Sequence, residues 1–305
     1  MLIKKRDSKK TEIEELTTLL SFHLPENKKF VIEREVRFIR SGDQGETDAA
    51  YFINFHFASS KNWAVIHDLR LEHQGRVAQI DHLLINRFLN VYVLESKNFS
   101  YGVKITDTGE FLVNYDKKYY SIESPIEQNK RHLIVLEEIF KKYDIMPKRI
   151  GITIIPTFRS YILVSTKSRV IRPSKETFDT SMVIKADTLG TQIDKDVDNM
   201  GPLSVLATAS KIVSRETIKE IAERVAAVHK PIKINYRKRF GLEDIGPSRD
   251  SVVAPSDMQQ SKRFYCAKCN NTIPEKVAKF CWDNKQRFHG KAYCFDCQKA
   301  FPGRR

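Results

Sequence analysis

Residues 76 to 98 read Arg-Val-Ala-Gln-Ile-Asp-His-Leu-Leu-Ile-Asn-Arg-Phe-Leu-Asn-Val-Tyr-Val-Leu-Glu-Ser-Lys-Asn: two apolar strand-like runs joined by a short turn. The first carries Asp81 and the second ends in Glu95-Ser96-Lys97. Glu-x-Lys alone is common at the solvated end of a strand. Asp81 changes the weight of the pattern. It interrupts Val77, Ala78, Ile80, Leu83, Leu84 and Ile85, and a carboxylate inside a buried strand costs several kcal/mol unless it is paired or holds a metal. Alternation predicts that Asp81, Leu83 and Ile85 share one face and that Glu95 and Lys97 point to the same side. By the same rule His82 faces away from Asp81 and reads as structural. Two carboxylates and an ammonium at one point are the groups that metal-assisted phosphodiester hydrolysis uses. The carboxylates hold a divalent cation, the cation activates water and neutralises phosphate charge, and the lysine orients or deprotonates the water.

Outward from this hairpin, residues 12 to 22 read as a short helix. Phe30 to Ile39, with Phe30, Ile32, Val36 and Phe38 alternating with charge, reads as a strand or extended arm. Ser41-Gly42-Asp43-Gln44-Gly45-Glu46 reads as a turn that opens a helix carrying Ala49, Phe52, Ile53 and Phe57. Strands are predicted from Trp63 to Leu71, Val77 to Ile85 and Val91 to Lys97. A smaller hairpin, Tyr101 to Thr106 with Glu110 to Tyr115, follows. Pro125 opens an amphipathic helix with Leu133, Leu136, Ile139 and Phe140 on one face. Further strands are expected at Ile150 to Ile155, Tyr161 to Ser165 and Met182 to Lys185, and a helix from Ile212 to His229. The order helix, three strands, helix, strand is α/β with a mixed sheet, and it places the candidate site at the end of the central hairpin.

The formal net charge of +14 favours an acidic partner, nucleic acid first and anionic lipid second. No stretch approaches the ~20 apolar residues of a membrane span. The first residues are basic without an apolar core behind them, so a cytoplasmic location is expected, with the five cysteines reduced. All five fall between Cys266 and Cys297. Cys266-x-x-Cys269 and Cys294-x-x-Cys297 are two knuckles that predict one Zn2+ in a closed thiolate shell. Such a segment of about 40 residues needs the metal to fold. Cys281 is either a buried small residue or a replacement ligand, and His289 is a further possible ligand. Lys262, Arg263, Lys268, Lys276, Lys279, Lys285, Arg287 and Lys291 interleave with Tyr265, Trp282, Phe288, Tyr293 and Phe295. That mixture suits phosphates and bases, or the aromatics form the module's small core.

Four blocks in order resemble one family: Gly45-Glu46, then Gln79-Ile80-Asp81-His82, then Val93-Leu94-Glu95-Ser96-Lys97-Asn98, then Pro125-Ile126-Glu127-Gln128-Asn129. They resemble the nuclease-related domain, NERD, a branch of the restriction-endonuclease-like PD-(D/E)xK superfamily. The resemblance covers roughly residues 35 to 145, and more loosely extends to about 225. It implies a restriction-endonuclease-like mixed sheet flanked by helices, with Asp81 and Glu95 as Mg2+ or Mn2+ ligands and Lys97 as the catalytic lysine. It implies Glu46 as an accessory acid and Gln128 near the site. Glu46 in a first helical turn would also suit the helix dipole, by ~0.3–1 kcal/mol. Ile80 stands where the superfamily's motif has proline. The expected organisation is an N-terminal helical or extended arm (1–34), a nuclease-like domain (35–230), a basic linker (231–260) and a zinc ribbon (261–305). The expected function is divalent-metal-dependent hydrolysis of DNA, the ribbon assisting binding. The alternative is a non-catalytic nucleic-acid-binding or protein-interaction module on the same fold.

Overall fold

The computed structural model describes residues 1–115, 118–199, 206, 208–243, 264–269, 271–299 and 301. The chain divides into two compact units, residues 1–248 and 249–305.

In the first unit β1 (Leu2–Lys4) and α1 (Lys10–Leu20) precede a 28-residue helix, α2 (Glu26–Ile53), which runs into a π-turn at Asn54–Ala58. The predicted strands follow as β2 (Trp63–His73), β3 (Arg76–Asn86) and β4 (Asn90–Lys97). Gln74 and Gly75, both at positive φ, turn the chain between β2 and β3. Next come β5 (Val103–Ile105), β6 (Phe111–Tyr115), β7 (Lys118–Ile122) and α3 (Pro125–Lys142), where Ser124 Oγ caps the Glu127 N–H. A short ladder, β8 (Lys148–Arg149) with β9 (Ile152–Thr153), leads to β10 (Thr157–Val164). Then β11 (Val170–Ile171), β12 (Val183–Lys185), α4 (Leu189–Asp198) and α5 (Arg215–Ala227) complete the layers.

The main sheet has the order β1-β2-β3-β4-β10-β12. β2, β3 and β4 are antiparallel neighbours, while β10 runs parallel to β4 and β12 to β10. The sheet is therefore mixed, and helices cover both faces. On one face Ile66, Leu83, Val91 and Val93 pack against α3 and α5 through Leu136, Ile139, Ile221 and Val225. On the other, Val65, Leu84, Tyr92 and Leu94 pack against α2 and α4 through Ala49, Ile53, Leu189 and Ile193. A second sheet, β11-β5-β6-β7, packs its apolar side on Ile162 and Val164.

Three expectations need correction. Phe30 to Ile39 is neither strand nor arm but the second to fourth turns of α2. Ile32 and Val36, four apart, are buried while Phe30 and Phe38 are exposed, so burial there follows the helical period. Ser41 to Glu46 is not a turn, because α2 passes straight through it. Gly45 is there for packing: a Cβ would sit 2.8 Å from the Asn98 Cβ. Ile150 to Ile155 is not a core strand. Ile150 and Gly151 both lie at positive φ, and Ile150, Ile152 and Ile155 are exposed, so the buried strand begins only at Thr157.

Tyr236 and Leu242, from the basic segment after α5, are buried with Leu16, Leu19 and Ile32 of α1 and α2. The expected basic linker lies outside the described residues from position 244 on, as do Lys262 and Arg263. Among the described residues no helix is long and apolar enough to cross a membrane.

In the second unit, β13 (Phe264–Tyr265) pairs with β14 (Thr272–Ile273), followed by a helix at Glu275–Asp283 and helical turns at Lys285–Phe288 and Phe295–Gln298. Its core is Cys266, Ile273, Ala278, Cys281, Phe288, Ala292 and Tyr293.

Candidate nuclease site and thiolate cluster

The β3–β4 ladder runs from Ile85–Val91 to His82–Leu94 and stops there. Asp81 and Glu95 would be the next pair in that register. Instead the Asp81 Oδ2 accepts the Ser96 N–H at 2.7 Å, and the strands part around their carboxylates. A matching irregularity lies across the sheet. His67 faces His82 and Leu69 faces Ile80, yet Asp68, which would face Asp81, is unpaired in the ladder and at φ +51°. A non-glycine residue in that region is strained by about 1–3 kcal/mol and persists only where its surroundings hold it. Ile66 and Leu69, like Ile80 and Leu83, reach the same core. Simple alternation thus breaks once between Ile66 and Leu69 and once between Ile80 and Leu83, around Asp68 and Asp81.

On β4 the expected alternation holds. Glu95 and Lys97 lie on one side, and the Lys97 Nζ donates to Glu95 Oε1 at 2.5 Å and to Gln128 Oε1 of α3 at 3.1 Å. Glu95 is buried. Its Oε2 has no donor in hydrogen-bond geometry, although Gln128 is near enough to ease ionisation of the carboxyl, and it stands 3.6 Å from His132 Nδ1, which is also unbonded. His132 is one turn beyond Gln128 on α3, a spacing that could have flagged it. Burial, with Lys97 and Arg131 nearby, lowers the His132 imidazole to about 4. Asn129 anchors α3 here, its Nδ2 donating to Val93 O at 2.9 Å and Ser160 Oγ at 2.8 Å.

Glu46 arrives from α2. The Gly45–Asn98 contact and an Asn98 Nδ2 to Ser41 O hydrogen bond of 3.2 Å seat that helix against the residue after Lys97. Glu46 is in the middle of α2, not in its first turn, so the helix-dipole account of it falls. Its Oε2 is bonded by Arg6 at 2.8 Å, and Arg6 also reaches Asp43 Oδ1 at 2.8 Å and Thr47 Oγ1 at 2.5 Å. The residues after β1 bring Arg6 there, and the Asp7 N–H donates to Asp68 Oδ2 at 2.7 Å. Arg6 and Asp68 were not anticipated. Arg6 sits in a basic run with no local signature, but Asp68 interrupts an apolar strand just as Asp81 does.

The acids disturb one another. Burial, then Glu95 and Glu46, raises Asp81 well above the usual carboxylate range. Burial raises Glu95 despite Lys97, and raises Glu46 despite Arg6. A buried carboxylate oxygen without a donor, beside a second carboxylate that resists ionisation, is a donor set that a hard divalent cation would satisfy.

A chain of buried polar groups supports Asp81 from behind. Asn54 Oδ1 lies 3.1 Å from His67 Nε2, His67 Nδ1 is 2.7 Å from His82 Nδ1, and His82 Nε2 is 2.9 Å from Ser96 Oγ. Burial, with Arg6 and Lys4, lowers His67 to about 4, and burial lowers His82 well below its usual value. With both rings neutral, one proton arrangement satisfies every link. His67 donates to Asn54, His82 donates to His67, and Ser96 donates to His82. The reading of His82 as structural fits this role.

In the second unit the ligand sulfurs of Cys266, Cys269, Cys294 and Cys297 lie within 4.8 Å of one another, with Cys269 and Cys294 3.6 Å apart. No other group of three or more His, Cys, Asp or Glu side chains among the described residues brings its ligand atoms this close, and the cluster is compatible with a small zinc-binding module. Burial raises the Cys266 thiol, but N–H groups of Cys294, Cys269 and Lys268 bring it down to about 6. Cys281 is outside the cluster. It is a core residue whose sulfur accepts from Tyr293 N–H at 3.4 Å and Gln298 Nε2 at 3.3 Å. His289 is outside it too. Of the interleaved aromatics, Phe288 and Tyr293 are buried while Tyr265 and Phe295 are exposed.

No curated protein and no solved structure matches the sequence significantly. Residues 41–164, the span that holds Glu46, Asp81, Glu95, Lys97 and Gln128, match the family described as the nuclease-related domain, NERD, and the chain therefore carries a nuclease-related domain.

Proposed function

We propose that the nuclease-related domain hydrolyses DNA phosphodiester bonds with Mg2+ or Mn2+ held by Asp81 and Glu95. The observation that carries this reading is the donorless, buried Glu95 Oε2 beside Asp81, with Lys97 fixed against the same carboxylate at 2.5 Å. When bound, the cation would supply Lewis acidity and neutralise phosphate charge. The chain's own residues do the rest. Gln128 and Glu95 each take one Lys97 N–H, which leaves the third free to orient the attacking water or a phosphate oxygen. Ser96 and the neutral histidine chain fix the Asp81 carboxylate. Glu46 is the accessory acid, and it is reached through Arg6. The four cysteines hold one structural Zn2+, and the basic residues of that module add phosphate contacts.

The test is incubation of purified protein with labelled linear, circular, single-stranded and branched DNA, with Mg2+, with Mn2+ and without either. Cleavage that requires the cation and is lost in Asp81→Asn supports the proposal. Cation-independent cleavage, or no cleavage of any form by the wild type, overturns it. Salt-sensitive DNA binding without cleavage would leave the non-catalytic nucleic-acid-binding reading in its place.

A further inference from the structure

α2 enters the candidate site at Glu46, and its preceding turns carry a row of residues four apart: Phe30, Arg34, Phe38, Gly42, Glu46. Residues at that spacing form one ridge on a helix surface. Phe30 is 57% exposed and Phe38 65%, and Arg34 is exposed as well. Among the described residues Arg34 has no ion pair. Arg37, beside it, has only an exposed partner, Glu33, at 3.8 Å. Two solvated phenylalanines alternating with arginine on one ridge have no role in the core, which α2 serves through Ile32 and Val36.

Gly42 is a second, independent sign. It is exposed in the middle of the helix, and a Cβ there would meet nothing within 4 Å. Gly45 is explained by Asn98, but Gly42 is required by no contact among the described residues. Glycine in a helix interior is disfavoured relative to alanine, and one of its uses is to let another backbone approach closely. The open place lies one turn from Phe38 and one turn from Glu46.

We propose that this ridge is a binding track for a single strand of nucleic acid, with bases stacked on Phe30 and Phe38, phosphates on Arg34 and Arg37, and the strand passing Gly42 toward Glu46. The proposal rests on the nucleic-acid reading above and specifies its surface. Sixteen residues of helix span about 24 Å at 1.5 Å per residue. That length accommodates about seven nucleotides at a stacked spacing near 3.4 Å. Alternating aromatic and cationic side chains suit a single strand, because every base offers a π-face while paired bases do not unstack onto phenylalanine. Phe30, Arg34 and Phe38 precede residue 41, where the match to the nuclease-related domain begins, and Gly42 and Glu46 lie within it.

The experiment uses the full chain with Asp81→Asn to suppress cleavage. Fluorescence anisotropy would follow a labelled 20-nucleotide single strand and the corresponding duplex, in roughly 50 to 200 mM salt. Phe38→Ala is expected to weaken single-strand binding by roughly 5- to 150-fold and duplex binding far less. Arg34→Ala should lower the magnitude of the single-strand salt slope by about 0.7. Gly42→Leu should weaken the single strand while melting no lower than its parent, since leucine favours the helix and its Cβ meets nothing within 4 Å. Single-strand affinity unmoved by Phe38→Ala and Gly42→Leu would overturn the ridge. So would equal losses for strand and duplex. So would sedimentation showing that Phe38→Ala dissociates a dimer with DNA affinity unchanged, which would make the ridge an interface with a second copy. A parent that binds neither DNA form removes the nucleic-acid reading itself, and the ridge with it. A parent that binds with affinity indifferent to all three variants removes the ridge alone.

Discussion

Asp81→Asn gives the sharpest test of the site, because its effect on stability should have opposite signs with and without cation. Asparagine keeps an oxygen to accept the Ser96 N–H, now at 2.7 Å, and removes one of two facing carboxylates. The folded protein raises Asp81 well above its ordinary value near 3.8. Stability from such a group is present below the unfolded value and is lost as pH rises through the folded one. At neutral pH, without divalent cation, burial of this carboxyl therefore destabilises the wild type, an effect that the variant lacks. Replacing a poorly compensated buried charge by a neutral isostere gains on the order of 1–4 kcal/mol, or about 2–4 °C per kcal/mol for a domain of this size. Adding Mn2+ at about 100 times its Kd should stabilise the wild type by about 2.7 kcal/mol, and the variant hardly at all. Thermal unfolding at pH 7.5 with and without Mn2+ reads both effects, in chelator-free buffer so that no metal is drawn from the cysteine cluster. Repetition near pH 4 should shrink the variant's advantage, as Asp81 itself takes up a proton. A variant melting several degrees below wild type without Mn2+, with both proteins shifted equally by Mn2+, would refute the reasoning and leave Asp81 a structural acceptor for Ser96.

Lys97→Ala should keep the Mn2+ shift yet lose roughly 10²–10⁴-fold in cleavage; single-turnover assays at saturating Mn2+ check this, and a lost shift would make Lys97 part of the cation site. Arg6→Ala should tighten Mn2+ binding by freeing Glu46 from its 2.8 Å hydrogen bond, and Glu46→Gln should abolish that gain; calorimetric titration of the two single variants and the double variant decides it. Cys269→Ser/Cys297→Ser should fall from about one zinc per chain to none by elemental analysis, and removing residues 261 to 305 should weaken DNA binding while leaving the first unit folded. His67 should titrate near 4 by NMR rather than near 6.5. Because its folded value is lowered, the stability it contributes is present above about 6.5 and falls as pH drops toward 4.

The sheet was legible because its strands are runs of apolar residues with turn chemistry between them, and because Glu95 and Lys97 obey alternation up to the strand end. α2 was not, since it is amphipathic only in part. Its early turns pack through Ile32, Val36 and the partly buried Ile39, and the exposed Phe30 and Phe38 complete a false strand pattern. Gly42 and Gly45 then imitate a turn, although Gly45 is set by Asn98, 53 residues away in sequence. The roles of Arg6 and Asp68 depend on long-range placement and on a strained φ, which no local spacing encodes. Cys281 was undecided because a buried thiol and a thiolate ligand look alike until the fold shows which sulfurs meet.

The break in the two ladders links fold to chemistry. A regular ladder would pair Asp81 with Asp68 on one side and Glu95 on the other, and every main-chain group would then bond a neighbouring strand. The break instead gives the Ser96 N–H to a carboxylate and leaves the Glu95 Oε2 without a donor. Asp81, Glu95 and Glu46 then gather around Lys97 and an Arg6 shared with Asp43, and burial makes all three carboxyls resist ionisation. A fold selected for stability alone would neutralise such a cluster, because unpaired buried charge is among the costliest features a core can hold. Here the surroundings hold it in place: neutral histidines brace Ser96, Asn129 ties α3 to the β-sheet, and Gly45 lets α2 bring Glu46 in. A divalent cation at this point would offset the cost of ionising these carboxyls and occupy the bare oxygen together. That coupling is why the stability of this domain should respond to Mn2+ through Asp81 more than through any residue of the core.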